Sequence, residues 1–171
     1  PVLRGTYQRQ DDVDTTWPNE TRRYVDYVRS WVSEFKRSVD YLESREDIDM
    51  NKLAYFGTSW GGRMGAIIPA VEPRLSLAIL YSGGLASGTA QPEVDQVNFV
   101  TRVNVPTLML NGPYDSIEPV DEAQLPMLRL LGTDPEHKQR IEIEGAGHIL
   151  PRIPVVRESL RWLGEYFGPT N

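Results

Sequence analysis

The chain has 171 residues, 40% of them hydrophobic and 25% charged, which is the size and mix of one folded domain and not of a disordered segment. Eighteen Lys and Arg against 24 Asp and Glu leave a net charge of −6, so the basic patch of a nucleic-acid binder is not expected. No apolar run approaches the ~18 residues of a membrane span, and the absence of cysteine, with only His137 and His148 as histidines, excludes disulfides, thiolate catalysis and Cys- or all-His metal sites.

The first twenty residues are polar and irregular, with Gly5, Asp11, Asp12, Asp14 and Pro18, and read as a surface loop. They lack the apolar centre of a signal peptide, which, with the lack of cysteine, is compatible with the cytoplasm. From Thr21 onward Tyr24, Val28, Trp31, Val32, Phe35, Val39 and Leu42 recur at helical spacing, one face of a helix with most of its charges opposite. A polar turn at residues 46–51 precedes the apolar run Leu53–Phe56, a strand entering Gly57. Met64, Ile67, Ile68 and Val71 predict a short amphipathic helix stopped by Pro73. Leu75–Tyr81 is a strand ending in Ser82-Gly83-Gly84, and residues 85–104 are irregular with room for one helical turn. Pro106–Leu110 is another strand, closed by Asn111-Gly112-Pro113. A helix is expected over Val120–Leu131, a strand over Arg140–Ile143, and a closing helix marked by Val156, Leu160, Leu163 and Phe167. Strands and helices that alternate, with the strands near-continuously apolar, predict an α/β fold: a parallel sheet covered by helices on both faces.

Open parallel sheets carry their functional residues just beyond the carboxyl ends of the strands, and three such ends here hold reactive groups. The first is Gly57-Thr58-Ser59-Trp60-Gly61, a G-x-S-x-G between a strand and a helix. A serine on so tight a turn projects its hydroxyl outward, and the flanking glycines avoid collisions with nearby backbone. The second end carries Asp115, with Glu118 and Asp121 as rival carboxylates three and six residues on. The third is Gly145-Ala146-Gly147-His148, whereas His137 precedes its strand, at the wrong end of the sheet. A serine hydroxyl needs a base to become a nucleophile; a neutral imidazole is one near pH 7, and a carboxylate holds its tautomer. The order Ser59, Asp115, His148 is that of serine hydrolases built on such a sheet.

The segments Leu53–Gly62, Leu108–Asp115 and Gly145–His148, with weaker support from Gly5-Thr6-Tyr7 and from Ser38–Leu42, resemble the α/β-hydrolase superfamily, in its dienelactone-hydrolase and prolyl-oligopeptidase-like branch, and above all bacterial members. The resemblance implies catalytic roles for Ser59, Asp115 and His148. It implies an oxyanion donor in the backbone amide of Trp60 and needs neither metal nor organic cofactor. It departs at the front: family members have several strands before the helix that leads to the serine. Here only a loop and one long helix precede Ser59, with Pro1-Val2-Leu3 as the expected tail of a strand. The reading is therefore one partial α/β-hydrolase domain over residues 1–171 that lacks the N-terminal strands, its free sheet edge covered by a second copy or an upstream segment. The expected function is hydrolysis of a small-molecule ester, thioester, lactone or small amide through an acyl-enzyme on Ser59. Residues 84–104 would shape the substrate site, with Tyr114 and Trp60 at its mouth. The alternatives are a non-catalytic remnant that acts by association, or a prolyl-oligopeptidase-like peptidase.

Overall fold

A computed structural model describes residues 1–11 and 16–169; Asp12 and Asp14 of the leading loop lie outside the described residues. Four parallel strands, β1 (Ala54–Thr58), β2 (Leu77–Tyr81), β3 (Thr107–Asn111) and β4 (Lys138–Glu142), form one sheet in chain order. Each lies within one or two residues of the apolar run that predicted it. β2 explains why such a run need not alternate. Ala78 and Leu80 face a cluster containing Tyr24, Val28, Trp31 and Met109, while Leu77 and Ile79 face another containing Leu108, Val155 and Trp162. Both faces are buried, so both must be apolar.

The first cluster is organised by α1 (Arg22–Glu43), which Thr21 opens by accepting the Tyr24 N–H at 3.2 Å through its hydroxyl. Its inner face buries Tyr24, Val25, Tyr27, Val28, Trp31 and Val39. Ahead of it the chain makes a tight turn at Tyr7–Arg9, held to α1 by the Trp31 indole N–H donating to the Arg4 carbonyl at 2.8 Å and by an Arg9–Glu34 ion pair at 2.6 Å.

The structure departs from the sequence expectations in four places. The helix expected from Met64 to Val71 is two short ones, α2 (Trp60–Met64) and α3 (Ile68–Val71). Between them Gly65 lies so close to the Leu80 side chain that a Cβ would overlap it, and residues 62–69 are all buried. The segment therefore has no polar face: its spacing looked amphipathic, but its surroundings are not. Residues 84–104 are irregular as expected, with the single short helix α4 (Val97–Val100). They are nevertheless anchored, because Leu85, Ala90, Val94, Val100 and Val103 join the first cluster. The helix expected over 120–131 starts as a wide π-type turn at Val120–Gln124 before continuing as α5 (Leu125–Leu130).

The third departure is in α6 (Arg152–Phe167), which among the described residues covers the second face of the sheet. The expected stripe puts Val156 and Leu160 inward, but these are 45% and 60% exposed, and the buried positions are Val155, Ser159 and Trp162. The helix is turned by about one residue so that the larger Trp162 fills the space over Leu108 and Leu110. The fourth departure is at Pro1-Val2-Leu3, the expected strand tail, which pairs with nothing in the sheet; no strand precedes β1 among the described residues. β1 is thus an edge strand, and its Phe56 side chain is half-exposed.

The orientation of α6 has a direct test in urea unfolding. Trp162→Ala should cost about 3–5 kcal/mol of stability, while Leu160→Lys, placed at an expected core position, should stay within about 0.5 kcal/mol of the parent.

Candidate active site

Ser59 sits between β1 and α2 with φ 53° and ψ −112°, a left-handed backbone that costs a non-glycine residue about 1–3 kcal/mol. The surrounding contacts hold it there. Its amide N–H donates to the Tyr81 carbonyl at 2.8 Å, and its carbonyl accepts from the Arg63 N–H at 2.9 Å. Of the two motif glycines, only Gly57 avoids a backbone collision as the motif suggests. A Cβ at Gly57 would overlap the Gly61 carbonyl, yet one at Gly61 would meet only the Tyr55 hydroxyl, at 3.9 Å. The tight position is Gly62, where a Cβ would lie 2.8 Å from the Gly83 Cα. The elbow helix is therefore pressed against the turn that follows β2. α2 has only five residues, so its dipole adds little to the site.

Across the carboxyl ends of the strands the three sequence candidates meet. The Ser59 hydroxyl lies 2.7 Å from His148 Nε2. His148 Nδ1 lies 3.0 and 2.9 Å from the two Asp115 carboxylate oxygens. Donation from Nδ1–H to the carboxylate leaves Nε2 free to accept the serine proton, the tautomer that general-base chemistry needs. Asp115 is buried, and its Oδ1 also accepts the backbone N–H groups of Ile117 and Glu118, both at 2.9 Å. An aligned hydroxyl, imidazole and carboxylate can transfer an acyl group without a metal or an organic cofactor.

The remaining candidates are placed apart. Asp121 is exposed at the start of the wide turn. His137 lies at the opposite end of β4, where Nδ1 is 3.0 Å from the Tyr166 hydroxyl. Tyr114 is exposed beside Asp115. The Trp60 indole turns inward, edge-to-face with Trp31 at 4.6 Å, and its N–H is buried with no partner among the described residues. That side chain is half-buried and packs on α1 next to Ser59.

Glu118 is the informative rival. It is fully buried, 3.2 Å from the Nε of Arg63, which projects from the elbow helix. Burial pushes its carboxyl up to about 7, with Arg63 opposing the rise and Asp115 adding to it. Burial also pushes the Arg63 guanidinium below its usual value. The contact lacks hydrogen-bond alignment: Arg63 Nε and Nη1 and both Glu118 oxygens are without hydrogen-bond partners among the described residues. The guanidinium instead lies 4.0 Å from the Trp17 ring centroid, and the Arg63 carbonyl accepts from Gln96 Nε2 at 2.6 Å. Gln96 Oε1 in turn accepts the Ala86 N–H at 2.9 Å. Residues 84–104 are thereby fastened to the elbow, and with Pro18 they enclose a cavity of about 210 Å³. Neither Arg63 nor Gln96 stands out in the sequence, since each acts through a partner more than thirty residues away.

The family model for PET hydrolase-like proteins matches residues 10–167. Among solved structures, the chain superposes on TT1662 from Thermus thermophilus with a TM-score of 0.73 and 20% identity, covering 98% of this chain and 76% of that one. It matches acetyl xylan esterase 1 from a Thermoanaerobacterium species with a TM-score of 0.71 and 15% identity, covering 96% and 64%. A protein from Klebsiella pneumoniae assigned to the dienelactone hydrolases gives 0.66 and 17% identity, covering 89% and 68%. No curated protein sequence matches the chain. The fold is that of the α/β-hydrolases, as the sequence motifs implied. The chain spans only 46% of another such neighbour, a 2,6-dihydroxy-pseudo-oxynicotine hydrolase, so the activities of those longer proteins remain their own.

The raised carboxyl of Glu118 predicts a pH signature. Folding raises its pKa from 4.5 to about 7, so the folded state binds the extra proton. The stability this gives is complete below pH 4.5 and is lost as pH rises through 7. In urea unfolding, wild type should lose on the order of 1–3 kcal/mol relative to Glu118→Gln between pH 4.5 and pH 8. A difference that does not vary with pH would remove the shift.

Proposed function

The chain belongs to the PET hydrolase-like family, and on that premise we propose that it is a serine hydrolase that cleaves a carboxylic ester, or a related thioester, lactone or small amide, through an acyl-enzyme on Ser59. One observation carries the reading: the Ser59 hydroxyl is 2.7 Å from His148 Nε2 while both Asp115 oxygens hold Nδ1.

The chemistry follows from those contacts. Ser59 Oγ attacks the substrate carbonyl carbon as His148 Nε2 takes its proton, and the buried Asp115 carboxylate stabilises the imidazolium. The carbonyl π pair moves onto oxygen, where the Trp60 backbone amide is the proposed donor. As the tetrahedral intermediate collapses, the bond to the alcohol breaks and His148 returns the proton to the leaving oxygen. Water then attacks the acyl-Ser59 ester, giving one proton to His148, and departure of Ser59 Oγ recovers that proton. The carboxylic acid is released and the starting state restored. Neither step consumes a redox equivalent or needs a further co-reactant. Tyr114, exposed beside Asp115, and the 84–104 segment are the proposed substrate-facing elements. His148 is the proton carrier in both half-reactions, its imidazole part-exposed towards the substrate side and its other nitrogen sealed against Asp115.

Treatment with a fluorophosphonate probe tests the reading. Wild type should label at one site, and Ser59→Ala should abolish labelling. His148→Ala should slow turnover of a short-chain p-nitrophenyl ester by about 10³-fold or more. A wild type that stays unlabelled while a control esterase saturates would leave the non-catalytic reading standing. Faster turnover of a proline-containing peptide than of the ester would move the assignment to a peptidase.

A further inference from the structure

Two consecutive residues at the end of β2 hold both reacting partners of the proposed site. The Tyr81 carbonyl accepts the Ser59 N–H at 2.8 Å, which ties the nucleophile's own backbone to β2. The Tyr81 hydroxyl reaches the other way, donating to the Leu150 carbonyl at 3.1 Å and accepting the Leu150 N–H at 3.0 Å. The next side chain, Ser82, donates its hydroxyl to the carbonyl of His148 itself at 2.6 Å. Ser59 and His148 are 89 residues apart in the chain, and residues 81–82 bond to both of their backbones.

The segment that carries His148 needs such anchors. It follows Gly145, Ala146 and Gly147, and the next residue, Ile149, is 86% exposed. Away from β2, and apart from the His148 imidazole on Asp115, its backbone is held by the Ala146 carbonyl, which accepts the Tyr114 N–H at 3.1 Å, and by the Ala146 N–H, which donates to the Ile143 carbonyl at 3.1 Å. Neither bond reaches His148 or the residues after it.

Ser82 is also strained. Its φ is 48°, and among the described residues only Tyr7 and Ser59 share a left-handed backbone without being glycine. Glycine adopts that backbone freely, and the next two residues are glycines. A serine here therefore retains a strained conformation for the sake of its hydroxyl, which is buried with the rest of the side chain and directed at His148. The amide of Ser82 completes the brace by donating to the Leu110 carbonyl at 2.8 Å, in β3.

We propose that Tyr81 and Ser82 are positioning residues that set the distance between the Ser59 hydroxyl and the His148 imidazole, with the Ser82 hydroxyl as the direct hold on His148. This rests on the serine-hydrolase reading above. Displacement of an attacking group by about 1 Å can cost on the order of 10²-fold in rate, so loss of this hold acts on turnover and not on binding.

The test separates positioning from stability. Ser82→Gly removes the hydroxyl and relieves the backbone strain at the same time. Its melting temperature should stay within a few degrees of wild type, while kcat on a short-chain p-nitrophenyl ester and the rate of fluorophosphonate labelling fall at least about tenfold and KM stays within twofold. Tyr81→Phe, which removes both bonds to Leu150 and keeps the carbonyl that holds Ser59, should show the same kcat-directed loss. Ser82→Gly that labels and turns over within twofold of wild type would overturn the proposal, as would activity in both variants that falls only in step with melting temperature. Wild type that does not label at all defeats the hydrolase reading itself, which is a different result.

Discussion

The contact between two backbone turns, the elbow at Ser59 and the turn after β2 at Ser82–Gly84, is the constraint on which the site depends. Gly62 and Gly83 are so close that neither has room for a side chain. That approach requires residues without Cβ atoms on both sides, and it brings the end of β2 within reach of Ser59 and of the segment carrying His148. Backbone atoms, being far less mobile than side chains, make this junction stiff. Ser59 and the segment carrying His148 are both tied to this end of β2, by the Tyr81 carbonyl and by the Tyr81 and Ser82 hydroxyls.

A second junction, Arg63 with Glu118, joins the same elbow helix to the turn carrying Asp115. Its energetics are different. Removing two charges from water costs more than a poorly aligned contact returns, so a buried pair of this kind is weak evidence for stability. Its partners explain its presence better than its energy does. Through the Glu118 N–H to Asp115 and the Arg63 carbonyl to Gln96, it links the acid turn, the elbow and the 84–104 segment into one unit. One face of the molecule is less complete. Phe56 on the edge strand β1 and Leu160 on α6 are both more than half exposed. An unpaired strand edge with apolar side chains beside it is a surface that proteins ordinarily cover.

Much of the fold was legible because its signals are local. A run such as LSLAILY is long enough for a strand and too apolar for a surface loop, and β1, β2 and β3 fall where such runs occur, whereas β4, at the other edge of the sheet, is the mostly polar segment KQRIE. α1 was equally clear, since its spacing persists over six turns. The failures share one cause. For α2 and α3, and for the face of α6, periodicity describes only the chain's own residues, whereas burial depends on what packs against them. Gly65 is pressed against Leu80, which is distant in sequence, and Trp162, not the Val156–Leu160 pair, packs in the cluster with Leu108 and Leu110.

For the site itself, the sequence alone determined that a serine, an acid and a histidine follow three strands, now β1, β3 and β4, in the order 59, 115, 148. It could do so because a parallel sheet brings the carboxyl ends of its strands to one edge, whatever the details of packing. It left Asp115 and Glu118 as rivals, because both are carboxylates on one turn. Only the tertiary structure distinguished them, facing Asp115 to His148 and turning Glu118 back onto Arg63. Only the tertiary structure could place Ser82 against His148, since the two are 66 residues apart and no local pattern records a hydrogen bond between strand ends.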